Sequence, residues 1–179
     1  MGCKIDYTVL GVLVREVCRE YQVLDSPEIE AGAVGKHASL RAIQDGLFIE
    51  SHDGTGVSFF HDSIQSAAYS LLEVEEQAPF HLKLGRILKA QLPPLSKYLF
   101  AVANQLARGC DLVHENERMD VVHIFLRAGD ESKSAAAFRG AHFFHAKAIG
   151  LLCSQGKTVD PFAISIQTKV LTTYTLCHL

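Results

Sequence analysis

The sequence has no long apolar stretch and no secretory signal. None of its apolar runs approaches the roughly 20 residues that a transmembrane helix needs, and no charged region followed by an apolar one opens the chain. Of the 179 residues, 48% are hydrophobic and 21% charged, a composition typical of folded globular proteins rather than disordered ones. We therefore expect a soluble cytoplasmic protein of one medium or two small domains, without a membrane partner.

The five cysteines contain no Cys-x-x-Cys pair and form no even set. They stand at positions 3, 18, 110, 153 and 177. Neither a disulfide framework nor a thiolate metal site fits this spacing. The pattern indicates reduced, mostly buried thiols of an intracellular protein.

A complete phosphate-binding loop is missing. The segment from Gly150 to Thr158 ends in Gly156-Lys157-Thr158 like a Walker A loop, but five residues separate its glycines where the motif requires four. The segment also follows a helical pattern, whereas the phosphate loop follows a buried strand. We interpret Gly156 as the end of the preceding helix, and we expect no ATP binding by this chain alone.

Other catalytic and metal motifs are missing too. There is no His-Glu-x-x-His, no Gly-x-Ser-x-Gly, and none of the kinase glycine-loop, His-Arg-Asp or Asp-Phe-Gly elements. His142 and His145 have a spacing that could grip a metal in principle, but no carboxylate partner pattern accompanies them. We interpret them as histidines on the surface of repeat helices. The sequence therefore predicts neither an enzyme nor a metal site.

The most informative segment that is present runs from Val57 to Tyr69. An aromatic, β-favouring run changes there into a helical pattern whose predicted buried face comprises Ile64, Ala67, Ala68, Leu71 and Leu72. Asp62 is predicted to be the N-cap or a first-turn residue, where a carboxylate suits the positive end of the helix. His61 would then be the last residue of the strand, beside a helix N-terminus where anions bind.

The elements before this segment predict a winged-helix outline. One helix is expected over about 6–21, with Leu10, Leu13, Val14, Val17 and Tyr21 on its inner face, and a second one, with Leu40, Ile43 and Leu47 inward, to about Gly46. The Asp53-Gly54 turn between two β-favouring runs predicts a hairpin over 47–60. Helix, helix, hairpin and closing helix give the winged-helix module.

The rest of the chain is predicted to be helical. One stripe comprises Phe80, Leu84, Ile87 and Leu88, and the next Leu95, Leu99, Val102, Ala103 and Leu106, with a break at Pro93 and Pro94 between them. A helix pair is expected at about 115–135 and 136–153, and a last helix from Asp160 and Pro161. The predicted fold class is mainly α: a winged helix with a small β-hairpin, followed by tetratricopeptide-like helical hairpins. The predicted domains are 1–75, 76–112 and 113–179, the last one truncated.

The tetratricopeptide likeness depends on three small residues. Gly129, Ala141 and Ala148 lie twelve and seven residues apart, as the small residues of that repeat do. Small side chains let the two helices of a hairpin approach closely. Coincidence in an alanine-rich helix is the open alternative, because only one such unit is visible.

The run "FFHDSIQSAAYSLL", followed by "HLKLGRIL" and "LRAGDESKSAAAF…AKAIGLL", resembles a known family. It is similar to the region after the nucleotide-binding core of STAND or AAA-like signalling ATPases, above all those in hybrid sensor histidine kinases and fused serine/threonine kinases. The resemblance is strongest over 57–92. It implies that the chain is a signalling segment with a winged helix and helical repeats. Its partners would be nucleotide-binding and kinase domains, and the repeats would hold a protein or ligand.

The resemblance also implies roles for two residues. His61 would contact the β-phosphate of ADP bound in a neighbouring core, and Asp62 would cap the helix and fix the local backbone. ADP or ATP would thus be a cofactor only through that core, which this chain lacks. The alternative is that His61 merely packs and hydrogen-bonds inside the winged helix.

DNA binding by the winged helix is the second function to weigh. Its recognition helix would cover about 33–46 and offer Lys36, His37 and Arg41 to the groove. Because phosphate neutralisation dominates the affinity of DNA readers, this face should be basic. Residues 1–60 carry five basic side chains against nine acidic ones, a balance of −4. This charge favours the signalling function without nucleic acid, and a stand-alone DNA-binding regulator remains the alternative.

Overall fold

The protein is mainly α-helical with one small antiparallel sheet, which confirms the predicted fold class. The computed structural model describes residues 4–20, 30–92, 95–153 and 161–177. In these ranges the helices are α1 (Tyr7–Glu20), α2 (Ala31–Gln44), α3 (Asp62–Tyr69), α4 (Val74–Gln91), α5 (Leu95–Arg108), α6 (Glu115–Ser134), α7 (Phe138–Cys153) and α8 (Pro161–Cys177). The strands are β1 (Ile5–Asp6), β2 (Phe48–Glu50) and β3 (Gly56–Phe59), and a 3-10 turn spans Cys110–Leu112.

The chain divides into two compact units. The first comprises Met1–Glu76 with Ile87–Pro93, and the second Gln77–Arg86 with Pro94–Leu179, so that α4 contributes to both. The division into functional domains at residues 75 and 112 stays a prediction, because compactness alone does not define a function. The predicted features at Tyr21, at the two prolines after α4, and from Gly156 to Asp160 lie outside the described residues.

The first unit contains the predicted hairpin and one strand that was not predicted. Phe48 pairs with Phe59 and Glu50 with Val57, while Ile5 pairs with Val57 on the other side, giving the strand order β1-β3-β2. The turn uses Gly54 at a φ of +63°, a conformation that glycine adopts at little cost. The predicted order of two helices, hairpin and helix is therefore confirmed. With two residues, β1 is too short to show as a sequence period.

Helices α1 and α2 approach each other most closely at glycines that lie outside the predicted leucine and valine faces. The buried residues of α1 include Tyr7 and Gly11, and those of α2 include Gly35. Within the predicted inner faces, Val17, Leu40 and Leu47 are exposed to 53%, 45% and 44%, so these assignments were wrong. The closest contact forms at the glycines, because without side chains between them the two backbones can approach most closely.

The predicted burial of α3 was also wrong. None of its residues is buried, Ala67 and Ala68 are exposed, and Leu71 just after it is exposed to 84%. The helical period was right, but period alone does not supply a surface to pack against. Within the first unit, α3 contacts mainly β3.

The second unit has an α-helical core to which α5 contributes the predicted stripe. Leu99, Val102, Ala103 and Leu106 are at most 1% exposed. On α4 the predicted stripe is right in part: Leu88 is buried, whereas Phe80 is 40% exposed and its neighbours His81 and Leu82 are buried instead. At Leu82, α4 lies so close to Gly109 after α5 that a Cβ on this glycine would be 2.7 Å from the Leu82 Cβ.

Helices α6 and α7 form the predicted hairpin, and α8 packs against α7. Ala141 and Ala148 are fully buried, and Gly129 is buried on the facing side of α6. The Phe125 and Phe144 rings stack with their centroids 6.3 Å apart.

In the part of the chain that the structure describes, no helix is long and apolar enough to cross a membrane.

Candidate functional site

His61 lies in the short connection between β3 and α3. Strand β3 ends at Phe59, so the prediction that His61 ends the strand was wrong by two residues. The backbone of His61 is nevertheless extended, with φ −142° and ψ 145°. The strand therefore stops pairing before the chain turns, and the histidine stands outside the sheet.

The side chain of His61 caps α3. Its Nδ1 accepts a hydrogen bond from the Ser63 backbone N–H at 3.2 Å, and the Ser63 Oγ lies 2.8 Å from the same nitrogen. Asp62 is the first residue of the helix, which confirms the predicted first-turn position, whereas the capping role expected for Asp62 belongs to His61. A carboxylate in the first turn still interacts favourably with the positive helix end.

This cap fixes the tautomer of the neutral His61 ring. Because Nδ1 accepts from a backbone N–H, the proton of the neutral ring is on Nε2, which is then a donor. His61 is exposed and not packed in a core, but it hydrogen-bonds within the predicted winged helix, so the alternative is wrong about packing and right about hydrogen bonding. The ring thus holds an N–H donor, in a fixed tautomer, at the surface beside a helix N-terminus.

Exposed apolar side chains surround this position in the sequence. Phe60, Leu71 and Val74 are exposed to 63%, 84% and 75%. Large apolar side chains with such exposure within one short segment are typical of surfaces that contact another molecule or domain. We call residues 60–76 the α3 segment.

The α3 segment is also acidic. Between Arg41 and Lys83 the sequence contains no lysine or arginine but seven carboxylates. Three of these are paired with cations before the segment: Asp45 with Arg41, Glu50 with Lys36, and Asp53 with Lys4. The other four, Asp62, Glu73, Glu75 and Glu76, have no ion-pair partner within the described residues, so a partner of this surface should be basic.

The face predicted for DNA is on α2. Lys36, His37 and Arg41 are exposed there. However, the Lys36 Nζ lies 3.5 Å from a Glu50 oxygen, and the Arg41 Nε 3.0 Å from an Asp45 oxygen. Both cations of this face are thus partly neutralised by carboxylates of the same unit, which reduces their attraction for phosphate.

The remaining histidines that the structure describes do not cluster with other metal-binding side chains. Within the described ranges, no group of three or more His, Cys, Asp or Glu residues could bind a metal ion. His145 was wrongly predicted to lie on the surface: it is fully buried, and its Nε2 lies 3.2 Å from an Asp130 oxygen. The sequence held no signal for this pair beyond the predicted α6–α7 hairpin, since fifteen residues separate its members.

The segment resembling a Walker loop begins inside a helix. Gly150 belongs to α7, which continues to Cys153; the rest of the segment, including Lys157, lies outside the described residues. Gly150 is therefore preceded by a helix, whereas a phosphate-binding loop follows a strand.

The second unit has a shallow cavity beside α5 and α6. It measures about 780 Å³ and is lined by Phe100 on α5 and by Arg127, Asp130, Glu131, Ser134 and Ala135 on and after α6. Its lining combines an exposed aromatic ring with charges of both signs, which suits a protein or peptide surface better than a small apolar ligand.

Comparison of the chain with protein-family models, with curated proteins and with solved structures finds no match.

Proposed function

We propose that this chain is a non-catalytic regulatory segment of a STAND or AAA-like ATPase, linked to a histidine or serine/threonine kinase in the cytoplasm. Its winged-helix part would sense the nucleotide of a neighbouring core, and its helical hairpins would hold a protein partner. The sequence resemblance over 57–92 suggests this function. The observation that supports it best is the geometry of His61.

The Nε2–H of His61 is suited to a phosphate oxygen. The cap on α3 uses Nδ1 as an acceptor, so Nε2 of the neutral ring carries the proton and is an N–H donor. Such a donor can hydrogen-bond to a phosphate oxygen. A nucleotide that places a phosphate here would be favoured over one that does not, and only such a difference can bias a switch.

The α3 segment offers the surface on which a nucleotide-binding core would sit. An isolated helix of eight residues is marginal in water, and α3 buries none of its side chains in the first unit. A core that covers Phe60, Leu71 and Val74 would stabilise α3 and bring its nucleotide to His61. The unpaired carboxylates of the segment favour a basic surface on that core.

The test requires the longer protein, and the first step is to read the genomic sequence upstream of Met1 for a P-loop ATPase. In that protein, His61→Ala should leave the fold in place at the cost of the α3 cap, about 0.5–2 kcal/mol, weaken ADP retention and shift output toward the active state. The control is His52→Ala, which removes an exposed histidine of the hairpin turn in the same unit. The off-rate of a fluorescent ADP analogue and the melting temperature are measured for both variants.

Two results would count against the proposal. If the upstream frame encodes no nucleotide-binding core, and no protein that binds this chain contains one, the chain has no partner of the proposed kind. If His61→Ala lowers the melting temperature while the ADP off-rate matches that of His52→Ala, His61 has a structural role only. A faster off-rate restricted to His61→Ala supports the proposed contact with the phosphate.

The purified chain by itself should neither hydrolyse ATP nor phosphorylate itself, since its sequence lacks a phosphate loop. The assay compares phosphate release with a mock preparation and with Lys157→Ala. Turnover that disappears in Lys157→Ala would mean that the Walker-like segment binds phosphate despite its glycine spacing.

DNA binding is the competing function, and its test is separate. Duplex DNA should bind weakly or not at all at physiological salt, because the first unit is acidic and Lys36 and Arg41 are paired. A sequence-specific gel shift at nanomolar protein with a steep salt dependence would replace the signalling function by the DNA-binding one. Lys36→Gln should then reduce the salt slope by about one.

A further inference from the structure

His145 is a fully buried histidine at the centre of the α6–α7 hairpin. Its ring lies on Gly129, where a Cβ would come within 2.3 Å of the His145 Cδ2 and 2.4 Å of Nε2. Such distances exclude any side chain at position 129 unless the ring moves. The glycine thus makes the space that an imidazole fills in the middle of a helix pair.

Asp130 links this buried ring to a third helix. One oxygen of Asp130 on α6 lies 3.2 Å from the His145 Nε2, and the Lys169 Nζ on α8 donates to both Asp130 oxygens at 2.8 and 2.6 Å. A single carboxylate therefore joins α6, α7 and α8. Lys169 and Asp130 are partly exposed, whereas His145 is not.

The other ring nitrogen, Nδ1 of His145, is buried and has no hydrogen-bond partner among the described residues. With the proton on Nε2, donated to Asp130, the neutral ring leaves only an acceptor lone pair unsatisfied at Nδ1. Protonation would place an N–H donor without an acceptor there, together with a positive charge in a dry position, and both are costly.

Burial is also the main reason why the pKa of His145 lies below its ordinary value. The Asp130 carboxylate opposes this shift, and the positive charges of Lys169 and Lys133 add to it. The 3-10 turn and α5 also pack against α7. Among the described residues their ionisable side chains are Lys97, Tyr98, Arg108, Cys110 and Asp111, none of which hydrogen-bonds to the His145 ring.

We propose that the His145–Asp130–Lys169 contact is a proton-sensitive latch, which holds α8 on the α6–α7 hairpin and loosens on acidification. The protonated ring gains water at Nδ1 only by leaving its position on Gly129. That movement removes the inner partner of Asp130 and separates α7 from its neighbours. The inference does not depend on the proposed function.

The direction and range of the effect follow from linkage. In the open state the His145 ring has the ordinary pKa of a histidine, about 6.5, and in the closed state it binds the proton more weakly. Closure is therefore fully favoured above about pH 6.5. It is lost progressively as the pH falls below that value. One additional proton in the open state makes the opening equilibrium increase by up to roughly tenfold per pH unit.

Hydrogen exchange of the full chain between pH 7.5 and 5.5 tests the latch. After correction for intrinsic exchange, α7 and α8 should open more at low pH in the wild type, whereas His145→Gln, which keeps a neutral donor toward Asp130, should show no such increase. The control is His142→Gln, which removes a half-buried histidine of the same helix whose Nδ1 lies 3.4 Å from the Val170 carbonyl oxygen. This control should respond to pH like the wild type.

Two outcomes would overturn the proposal: a wild type without the increase, or an increase that persists in His145→Gln. A second measurement covers the case in which His145→Gln does not fold. In nitrogen-detected NMR of the wild-type chain at pH 7.5, the ring of His145 should be neutral with its proton on Nε2, and a protonated His145 should appear at lower pH only together with the increased exchange of α7 and α8. A His145 ring that is protonated at pH 5.5 while α7 and α8 stay protected would show that the latch does not exist.

Discussion

Gly35 of α2 lies directly against the backbone of α1 at Gly11. A Cβ at position 35 would be 2.7 Å from the Gly11 nitrogen and 2.0 Å from the Tyr7 carbonyl oxygen. Both neighbours are backbone atoms, so no side-chain rotation could relieve the contact. The pairing of two glycines therefore sets the distance between the two helices that precede the hairpin.

Gly35→Ala should destabilise the first unit by about 2–3 kcal/mol, because the helices must move apart to admit the methyl group. Gly32→Ala is the matched control on the same helix, since its Cβ would meet only the Thr8 Oγ1 at an ordinary 3.7 Å. This control should stabilise by about 0.5–1 kcal/mol through helix propensity. Urea unfolding monitored by circular dichroism compares them; equal effects of both substitutions would contradict the close contact.

A similar pair of glycines tests the second unit. Gly129→Ala should cost about 1–3 kcal/mol, because the methyl group would displace the buried His145 ring. Gly150 lies in α7, and among the described residues no atom comes within 4 Å of the place that a Cβ would take there. Gly150→Ala should therefore stabilise by up to about 1 kcal/mol. Thermal unfolding measures both. A neutral Gly129→Ala would show that the ring does not occupy this position.

Arg86 of α4 and Glu117 of α6 form a bidentate ion pair. The Arg86 Nε donates to one Glu117 oxygen at 3.0 Å and Nη2 donates to the other. This contact is the main cause that holds the pKa of Glu117 below its usual range. The stability that it gives is thus present above the ordinary pKa of a glutamate and is lost as the pH falls below it.

Arg86→Gln should therefore destabilise by about 0.5–1 kcal/mol at pH 7, a value limited by the partial exposure of the pair. The difference from the wild type should shrink as the pH falls from about 4.5 toward 3. Arg127→Gln removes the exposed pair with Glu131 within α6 and should cost at most about 0.5 kcal/mol. Urea midpoints across this pH range are the measurement; a constant difference would contradict the assignment.

Two cysteines of the second unit should differ in reactivity. Cys110 is 7% exposed, and burial raises the pKa of its thiol although Lys147 opposes the shift. Cys153 is exposed at the end of α7. An alkylating reagent at pH 7.5 should therefore modify Cys153 well before Cys110, as followed by peptide mass spectrometry. Denaturation should remove the difference, and a fast reaction at native Cys110 would mean that the 3-10 turn opens readily.

The sequence alone determined the local elements. The Asp53-Gly54 turn between two β-favouring runs predicted the hairpin to within about a residue, because turn chemistry acts over neighbouring positions. The stripe from Leu99 to Leu106 was right, since a strongly apolar face leaves a helix one way to pack. The paired helices α6 and α7 were also predicted, because the small residues along them indicated a close hairpin.

Only the tertiary structure decided which faces meet. The apolar period on α1 pointed to Val17, but the contact formed at Gly11 and Gly35, where backbones approach without side chains between them. Similarly, His61 and not the expected Asp62 caps α3, because the cap depends on the direction in which the backbone leaves β3. His145 was assigned to a surface and is buried, because whether a histidine meets water depends on the glycine and carboxylate that a distant segment places against it. A periodic pattern describes one element at a time, whereas burial and proton affinity are properties of the contact between elements.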